Sequence, residues 1–223
     1  MMEPEVTLIR ARLKAPRAGA IAGIVFSTLF IISLVLIRIS VPADPQETGT
    51  WLSGGGKTVI LALNLLPFAG IAFLWFVGVV RDRIGAYEDR FFATVFLGSG
   101  LLFLAMLFAS SAVAGGIMMM YGETPGKLMQ YGIYTFGRAV AYQIMNVYAV
   151  KMAGVFMITT CTLAIRTGIL PRWMVFLGYG LAMLLLLSSG YLSWAPLVFP
   201  LWVLLISVHI LLANLKPKPA SDL

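Results

Sequence analysis

Residues 91–117 read FFATVFLGSGLLFLAMLFASSAVAGGI, a stretch that contains no charged side chain. A hydrocarbon core about 30 Å thick is crossed by roughly 20 helical residues, because an α-helix rises about 1.5 Å per residue. The stretch is therefore long enough for a transmembrane helix. Further apolar runs without Asp or Glu lie at about 18–37, 59–80, 139–165, 173–190 and 196–213. We predict an all-α, polytopic membrane protein whose six transmembrane helices form a single domain over residues 1–223.

The composition favours the same class of protein. Of the 223 residues, 60% are hydrophobic and 11% are charged, with a mean hydropathy of +0.94. A soluble domain averages about 45–50% apolar and about 25% charged residues. The excess of apolar residues is therefore expected to face lipid. The chain has one cysteine, Cys161. A disulfide framework within the chain and a Cys-based metal cluster are thus excluded, and we predict no cofactor and no metal site.

The basic residues that give the net charge of +7 are placed unevenly. On one side of the predicted spans lie Arg10, Arg12, Lys14, Arg17, Arg81, Arg83, Arg90, Arg166, Arg172, Lys216 and Lys218. On the other side lie Arg38, Lys57, Lys127 and Arg138. The positive-inside rule then predicts that both termini are cytoplasmic. Anionic headgroups account for the basic balance, so membrane lipids are the expected partners and no nucleic acid is expected.

A short internal repeat points to an arrangement in hairpins. Residues 95–101 read VFLGSGL and residues 175–181 read VFLGYGL, so that six of the seven positions agree at an offset of 80. This match predicts three consecutive helical hairpins of one orientation. A chance match between Leu-rich and Gly-rich helices is the alternative interpretation. The segment 38–57, which is rich in Pro, Gly and Thr, is predicted to be irregular.

Helix four, which is the predicted helix that contains the apolar run 139–165, carries the strongest candidates for a binding site. Arg138, Tyr142 and Asn146 recur every fourth residue and therefore share one helical face, whereas Tyr148 and Lys151 lie on another. One interpretation is a polar cavity, open to the outside, for an anionic or polar ligand. The other is a long helix whose first turns stand in the headgroup layer.

Lys151 admits two depths in the membrane. A span that starts near residue 137 places it close to the bilayer midplane, where a lysine costs about 2.5–3.5 kcal/mol. A span over 146–165 instead places it little more than one turn from the outer edge, where its ammonium group can snorkel to the headgroups. The sequence leaves both depths open.

Two further features are weaker candidates for a functional role. Asn64 and Pro67 in helix two predict a kink, because proline removes a backbone donor and leaves a carbonyl free that Asn64 could satisfy. Ser99 and His209 lie near the predicted cytoplasmic face and could in principle form a hydrolytic pair. Leu97 stands where the intramembrane serine-protease pattern G-x-S-G needs its first glycine. We therefore predict no catalytic residue.

The chain resembles a broad group of uncharacterised bacterial six-helix integral membrane proteins. The resemblance rests on residues 166–173, RTGILPRW, which lead into a Gly-rich fifth helix, and on the charged loop 81–90 before Phe91 and Phe92. It covers the second half of the chain better than the first. It implies a multi-pass protein of the bacterial cytoplasmic (inner) membrane and carries no site residue over.

These observations favour a non-enzymatic membrane protein that acts as an accessory, scaffold or lipid-interacting component. Its partners would be membrane lipids and, as a further option, another membrane subunit. The main alternative is a small transporter or channel for an anionic or polar solute, with Arg138, Asn146 and Lys151 at its site. A membrane-embedded enzyme is the third and least favoured interpretation.

Overall fold

The computed structural model describes residues 3–42, 49, 51–84, 90–123, 132–187 and 194–215, and these residues form an all-helical bundle. The helices are α1 (Glu3–Ser40), α2 (Trp51–Ile84), α3 (Arg90–Glu123), α4 (Ile133–Thr167), α5 (Arg172–Leu187) and α6 (Ala195–Leu215). Each predicted apolar run begins inside one of these helices. The last three residues of the run 173–190 lie outside the described part of the chain. The prediction of an all-α fold is confirmed.

Five of the helices are long and apolar enough to cross a membrane: α1, α2, α3, α4 and α6. The described part of α5 has 16 residues and is shorter than such a span. The apolar character of the surface agrees with the helix lengths, because large side chains such as Trp75 and Phe176 are more than 60% exposed. Surfaces of this kind need lipid or another protein to cover them.

The helices form two closely packed hairpins, and the last helix packs against the first. α1 packs along α2, and α3 packs along α4. α6 then returns to α1, while α5 packs mainly against the second part of α4. Contact between α5 and α6 is slight, so among the described residues the predicted third hairpin is not a closely packed pair.

The two copies of the repeated heptapeptide face different surroundings. Phe96 in α3 is 1% exposed, whereas its equivalent in α5, Phe176, is 66% exposed. Gly178 packs against Cys161 and Trp202, whereas its equivalent Gly98 has open space beside it. The shared residues therefore do not share a packing role, and the match gives no structural support to a duplication.

A cluster of phenylalanine rings fills the middle of the bundle. We call it the phenylalanine core; its buried members are Phe26, Phe30, Phe73, Phe76, Phe96, Phe103, Phe156 and Phe199. Neighbouring rings in the cluster have centroids 4.7 Å apart for Phe103 and Phe199, and 4.8 Å apart for Phe26 and Phe73. Tilted and edge-to-face pairs at such distances are favourable beyond the area that they bury. The core joins α1, α2, α3, α4 and α6.

The start of α2 differs from the sequence prediction. Residues 51–57 were expected within an irregular segment, yet they form the first two turns of α2 despite three consecutive glycines. The helix is fixed there by tertiary contacts, since Leu52 is 4% exposed and the Trp51 indole N–H donates a hydrogen bond to the Tyr134 hydroxyl at 2.8 Å. Packing of this kind overrides the weak helix propensity of glycine.

Candidate functional site

A cavity of about 650 Å³ occupies the end of the bundle where α1 ends and α4 begins. We call it the large cavity. Its walls come from the last turns of α1, the first half of α2, the second half of α3, the first part of α4 and the start of α6. The volume lies within the range of about 300–1,000 Å³ that is common for small-molecule sites.

The walls of the large cavity differ in polarity. α1 and α2 contribute mostly aliphatic side chains, among them Leu34, Leu63 and Leu66. α3 and α4 contribute the uncharged polar side chains Ser110, Ser111, Thr135, Tyr142, Gln143 and Asn146. The charged lining residues are two arginines, Arg38 and Arg138, and no Asp or Glu is among the described residues that line the cavity. The site is therefore amphipathic and electropositive.

The arginines lie near the rim of the cavity, whereas its floor is apolar. Arg38 is in the last turn of α1 and Arg138 is in the second turn of α4. Deeper in the bundle the lining passes to Leu66, Leu107 and Phe30, and Phe30 is a member of the phenylalanine core. A ligand with an anionic group at one end and a hydrocarbon part at the other would match this order.

A hydrogen-bonded brace ties the rim together around Tyr134. The Tyr134 hydroxyl accepts the indole N–H of Trp51, and Arg138 Nη1 lies 3.4 Å from the same oxygen. Arg138 Nη2 donates to the carbonyl oxygen of Pro42 at 2.6 Å. These bonds connect the start of α4 to the end of α1 and the start of α2. A guanidinium group has five N–H donors, so Arg138 keeps further donors for a ligand.

Arg38 is held differently from Arg138. Its guanidinium carbon lies 5.3 Å from the centre of the Trp194 ring, a cation–π distance. This contact leaves the edges of the guanidinium plane, where the N–H groups point, open toward hydrogen-bond acceptors.

A π-helical segment, Ile144–Ala149, interrupts α4 beside the cavity. π-Helical turns inside α-helices are frequent at functional sites, because they change which side chains face inward. The Ser110 hydroxyl from α3 donates to the Ala141 carbonyl just before this segment at 2.9 Å. Within it, the Asn146 amide donates to the Tyr142 carbonyl at 3.1 Å. Side-chain donors thus support the irregular turn.

The large cavity is open rather than sealed. Thr135, Ala139 and Gln143 line it and are also exposed. The first part of α4, Ile133–Gln143, packs against α3, whereas α4 meets α6 mainly from the π segment onward. An opening therefore lies at the side of the bundle between α4 and α6, within the described part of the chain.

The structure brings three of the five candidate residues of helix four to the cavity. Arg138, Tyr142 and Asn146 line it, as their four-residue spacing predicts for one face. Tyr148, which is 59% exposed, and the half-buried Lys151 are not among the lining residues.

Pro67, the proline of the predicted kink, lies inside α2. Asn64 and Pro67 are both exposed on the outer surface of α2, whereas the neighbouring Leu63 and Leu66 line the cavity. Asn64 is therefore turned away from the site.

Sequence reasoning missed several residues of the cavity. Arg38 was assigned to topology alone, and Ser110 and Tyr134 were not considered as parts of a site. The sequence did contain a signal that Arg38 could belong to a site. It is a charged residue directly after an apolar run, on the side of the predicted spans that carries few charges. That Arg38 lines the same cavity as residues of α4 could not be read from the sequence.

Ser99 and His209 do not form a pair in the structure. The Ser99 hydroxyl donates within α3, to the carbonyl oxygens of Val95 at 2.7 Å and Phe96 at 3.2 Å. Ser99 and His209 both belong to the described part of the chain, and no hydrogen bond joins them. The described residues also contain no group of three or more His, Cys, Asp or Glu side chains that could hold a metal ion.

A second, smaller cavity of about 70 Å³ lies at the opposite end of the bundle. It is lined by residues of α1, α2, α4 and α6, among them Gly19, Val79 and Ile206, and by the connection between α4 and α5. Phe76 of the phenylalanine core forms part of its wall. The phenylalanine core therefore lies between the two cavities.

Comparison with known proteins adds no further guide to the site, because no family model, no curated protein and no solved structure matches the chain.

Proposed function

We propose that this chain is a six-span protein of a bacterial cytoplasmic membrane that binds an anionic lipid in the large cavity. The observation that carries the proposal is the combination of an apolar floor with Arg38 and Arg138 near the rim. A lipid has the same order of parts, a hydrocarbon chain followed by a phosphate or carboxylate. Arginine suits such groups, since its planar donors can bind two oxygens of one anion.

The proposed topology places the cavity in the outer leaflet. The basic residues Arg17, Arg81, Arg166 and Arg172 are at the other end of the bundle from the cavity, which supports cytoplasmic termini under the positive-inside rule. The opening between α4 and α6 would then face the hydrocarbon of the bilayer. A lipid could enter through it without leaving the membrane.

The phenylalanine core blocks the route between the two cavities, which favours binding of a ligand in the large cavity over conduction of a solute through the bundle. A solute that crossed from the large cavity to the small one would have to pass rings that are almost completely buried, such as Phe73 and Phe103. Transport would therefore require these packed rings to separate. This observation supports an accessory or lipid-interacting role ahead of the transporter that is the main alternative.

The first test fills the cavity. Ala114 lines it and Ala112, two residues away on the same helix, is exposed and does not line it. The delipidated protein would be titrated with phosphatidylglycerol, and bound lipid would be counted by native mass spectrometry. We expect Ala114→Trp to abolish the tightest binding event, because the indole occupies the space of the acyl chain. Ala112→Trp is the matched control and should bind like the wild type.

The second test removes the charge. A hydrogen bond to a charged group contributes about 1.5–3 kcal/mol, which corresponds to roughly tenfold or more in affinity. Arg38→Gln and Arg138→Gln should each weaken phosphatidylglycerol binding by that order, whereas Lys57→Gln should not. Lys57 is exposed near the same end of the bundle but lies outside the cavity. Equal affinity for phosphatidylglycerol and zwitterionic phosphatidylcholine would refute the proposal.

A further inference from the structure

Lys151 is a charged residue at the middle of the bundle, away from the large cavity. Its depth follows from the contacts between the antiparallel helices α3 and α4. Ser110 hydrogen-bonds to Ala141, and Gly100 packs against Phe156. Lys151 lies between Ala141 and Phe156 along α4 and is therefore level with the part of α3 between Gly100 and Ser110.

That part of α3 is the centre of the charge-free run 91–117. At least seven residues of the run extend beyond it on either side, which is about 10 Å of helix. The hydrocarbon core of a bilayer is about 30 Å thick, so its edge lies about 15 Å from the middle, and the lipid phosphates lie beyond that edge. The four-carbon stem of a lysine at this level is too short to bring the ammonium group to a phosphate.

Among the residues that the structure describes, none supplies a counterion for this charge. Lys151 makes no hydrogen bond or ion pair with the side chains that the structure describes, and it does not line the cavity. The carboxylates of the sequence all lie outside the six apolar runs, at Glu3, Glu5, Asp44, Glu47, Asp82, Glu88, Asp89, Glu123 and Asp222. A second copy of this chain would therefore bring no carboxylate to the same depth.

The surroundings of Lys151 indicate that it faces the outside of α4. Val150, Ala153 and Gly154 next to it are buried, and Gly154 packs against Leu186 of α5. Lys151 itself is half-buried. Tyr148, three residues earlier on α4, is 59% exposed and also carries a hydroxyl group.

We infer that Lys151 and Tyr148 form a docking site for a transmembrane helix of a different protein, one that carries Asp or Glu at the middle of its span. The argument is charge complementarity. An ammonium group at the level of the hydrocarbon core needs an opposite charge or hydrogen-bond acceptors, and ionisable residues within membranes pair with one another. Lipid phosphates are too far away and a second copy has no carboxylate, so a heterologous helix remains. The inference is independent of lipid binding in the large cavity.

The test uses a synthetic transmembrane helix as the probe. A Leu- and Ala-rich peptide with a single Glu at its centre would be reconstituted with the full chain in phosphatidylcholine vesicles, and association would be measured by energy transfer between dyes. We expect the Glu peptide to associate at least tenfold more tightly than the same peptide with Gln. Lys151→Met should remove this difference, and Lys151→Arg should keep most of it.

Matched controls separate the site from charge in general. Lys57→Met removes a basic residue near the start of α2 and should leave the Glu preference unchanged. A peptide with Glu two turns from its centre should associate as weakly as the Gln peptide, because depth must match. Lys151→Met removes an unpaired charge and keeps the length of the stem, so the variant should fold at least as well as the wild type.

Three results would overturn the inference. The first is an equal affinity of the Glu and Gln peptides for the wild type. The second is a Glu preference that persists in Lys151→Met. The third is a Glu preference that disappears when phosphatidylglycerol is added, since the site would then belong to a lipid.

Discussion

Adding one methyl group at two equivalent glycines of the repeated heptapeptide should have opposite effects on stability. A Cβ at Gly178 would lie 2.7 Å from the indole nitrogen of Trp202 and would overlap the sulfur of Cys161. A Cβ at Gly98 would meet no atom within 4 Å. The sequence around the two glycines is almost the same, so the difference comes from packing alone.

The magnitude follows from two terms. Overpacking of a well-packed interior costs about 1–3 kcal/mol, and Trp202 is 2% exposed and Cys161 is 0% exposed, so neither can move aside easily. Replacing glycine by alanine in a helix interior contributes about 0.5–1 kcal/mol in the other direction. Gly178→Ala should therefore lower the free energy of unfolding by up to about 2.5 kcal/mol, whereas Gly98→Ala should raise it by up to about 1 kcal/mol.

The chain provides its own probe for the measurement. Cys161 is the single cysteine and is fully buried, so its reaction with a fluorogenic maleimide reports unfolding. Unfolding would be followed against increasing SDS in mixed micelles. Because Cys161 itself contacts Gly178, far-UV circular dichroism would be recorded in parallel to separate local opening from global unfolding.

The reasoning would be refuted by equal shifts for the two variants in the circular dichroism midpoint. Equal destabilisation would mean that both glycines are needed as parts of one repeated packing unit. Equal stabilisation would mean that the contact of Gly178 with Trp202 and Cys161 is looser than the structure has it.

Further predictions concern the core, the rim and the topology. Phe103→Ala should lower the free energy of unfolding by about 3–5 kcal/mol in the same SDS titration, because it leaves a cavity among the rings of the phenylalanine core. Arg138→Met should lower it by only about 0.5–1.5 kcal/mol, since its hydrogen bonds lie at the exposed rim, and Lys57→Met should leave it unchanged. Labelling of Ser53→Cys with an impermeant maleimide should succeed in intact cells, whereas Ala86→Cys should react only after permeabilisation. Reaction of Ala86→Cys in intact cells would contradict cytoplasmic termini.

The sequence by itself determined that the fold is helical and, apart from the start of α2, which stretches form the helices. Each apolar run determines its own secondary structure, because a backbone in lipid must satisfy its hydrogen bonds within the segment. The free energy of placing the run in lipid therefore depends on its own residues and hardly on neighbouring segments. The four-residue spacing of Arg138, Tyr142 and Asn146 likewise fixed that they share a face of α4. Their common place in the cavity agrees with that spacing.

Only the tertiary structure decided which faces turn inward and what they meet. Arg38 and Arg138 are 100 residues apart in sequence, and they line one cavity because α1 and α4 end and begin at the same level of the bundle. Phe96 and Phe176 have the same neighbours in sequence, yet one is buried and the other is exposed. In lipid, an apolar side chain is about equally soluble on either face of a helix, so periodicity does not mark the interior. Close packing between particular helices makes that choice, and it is a property of the whole bundle.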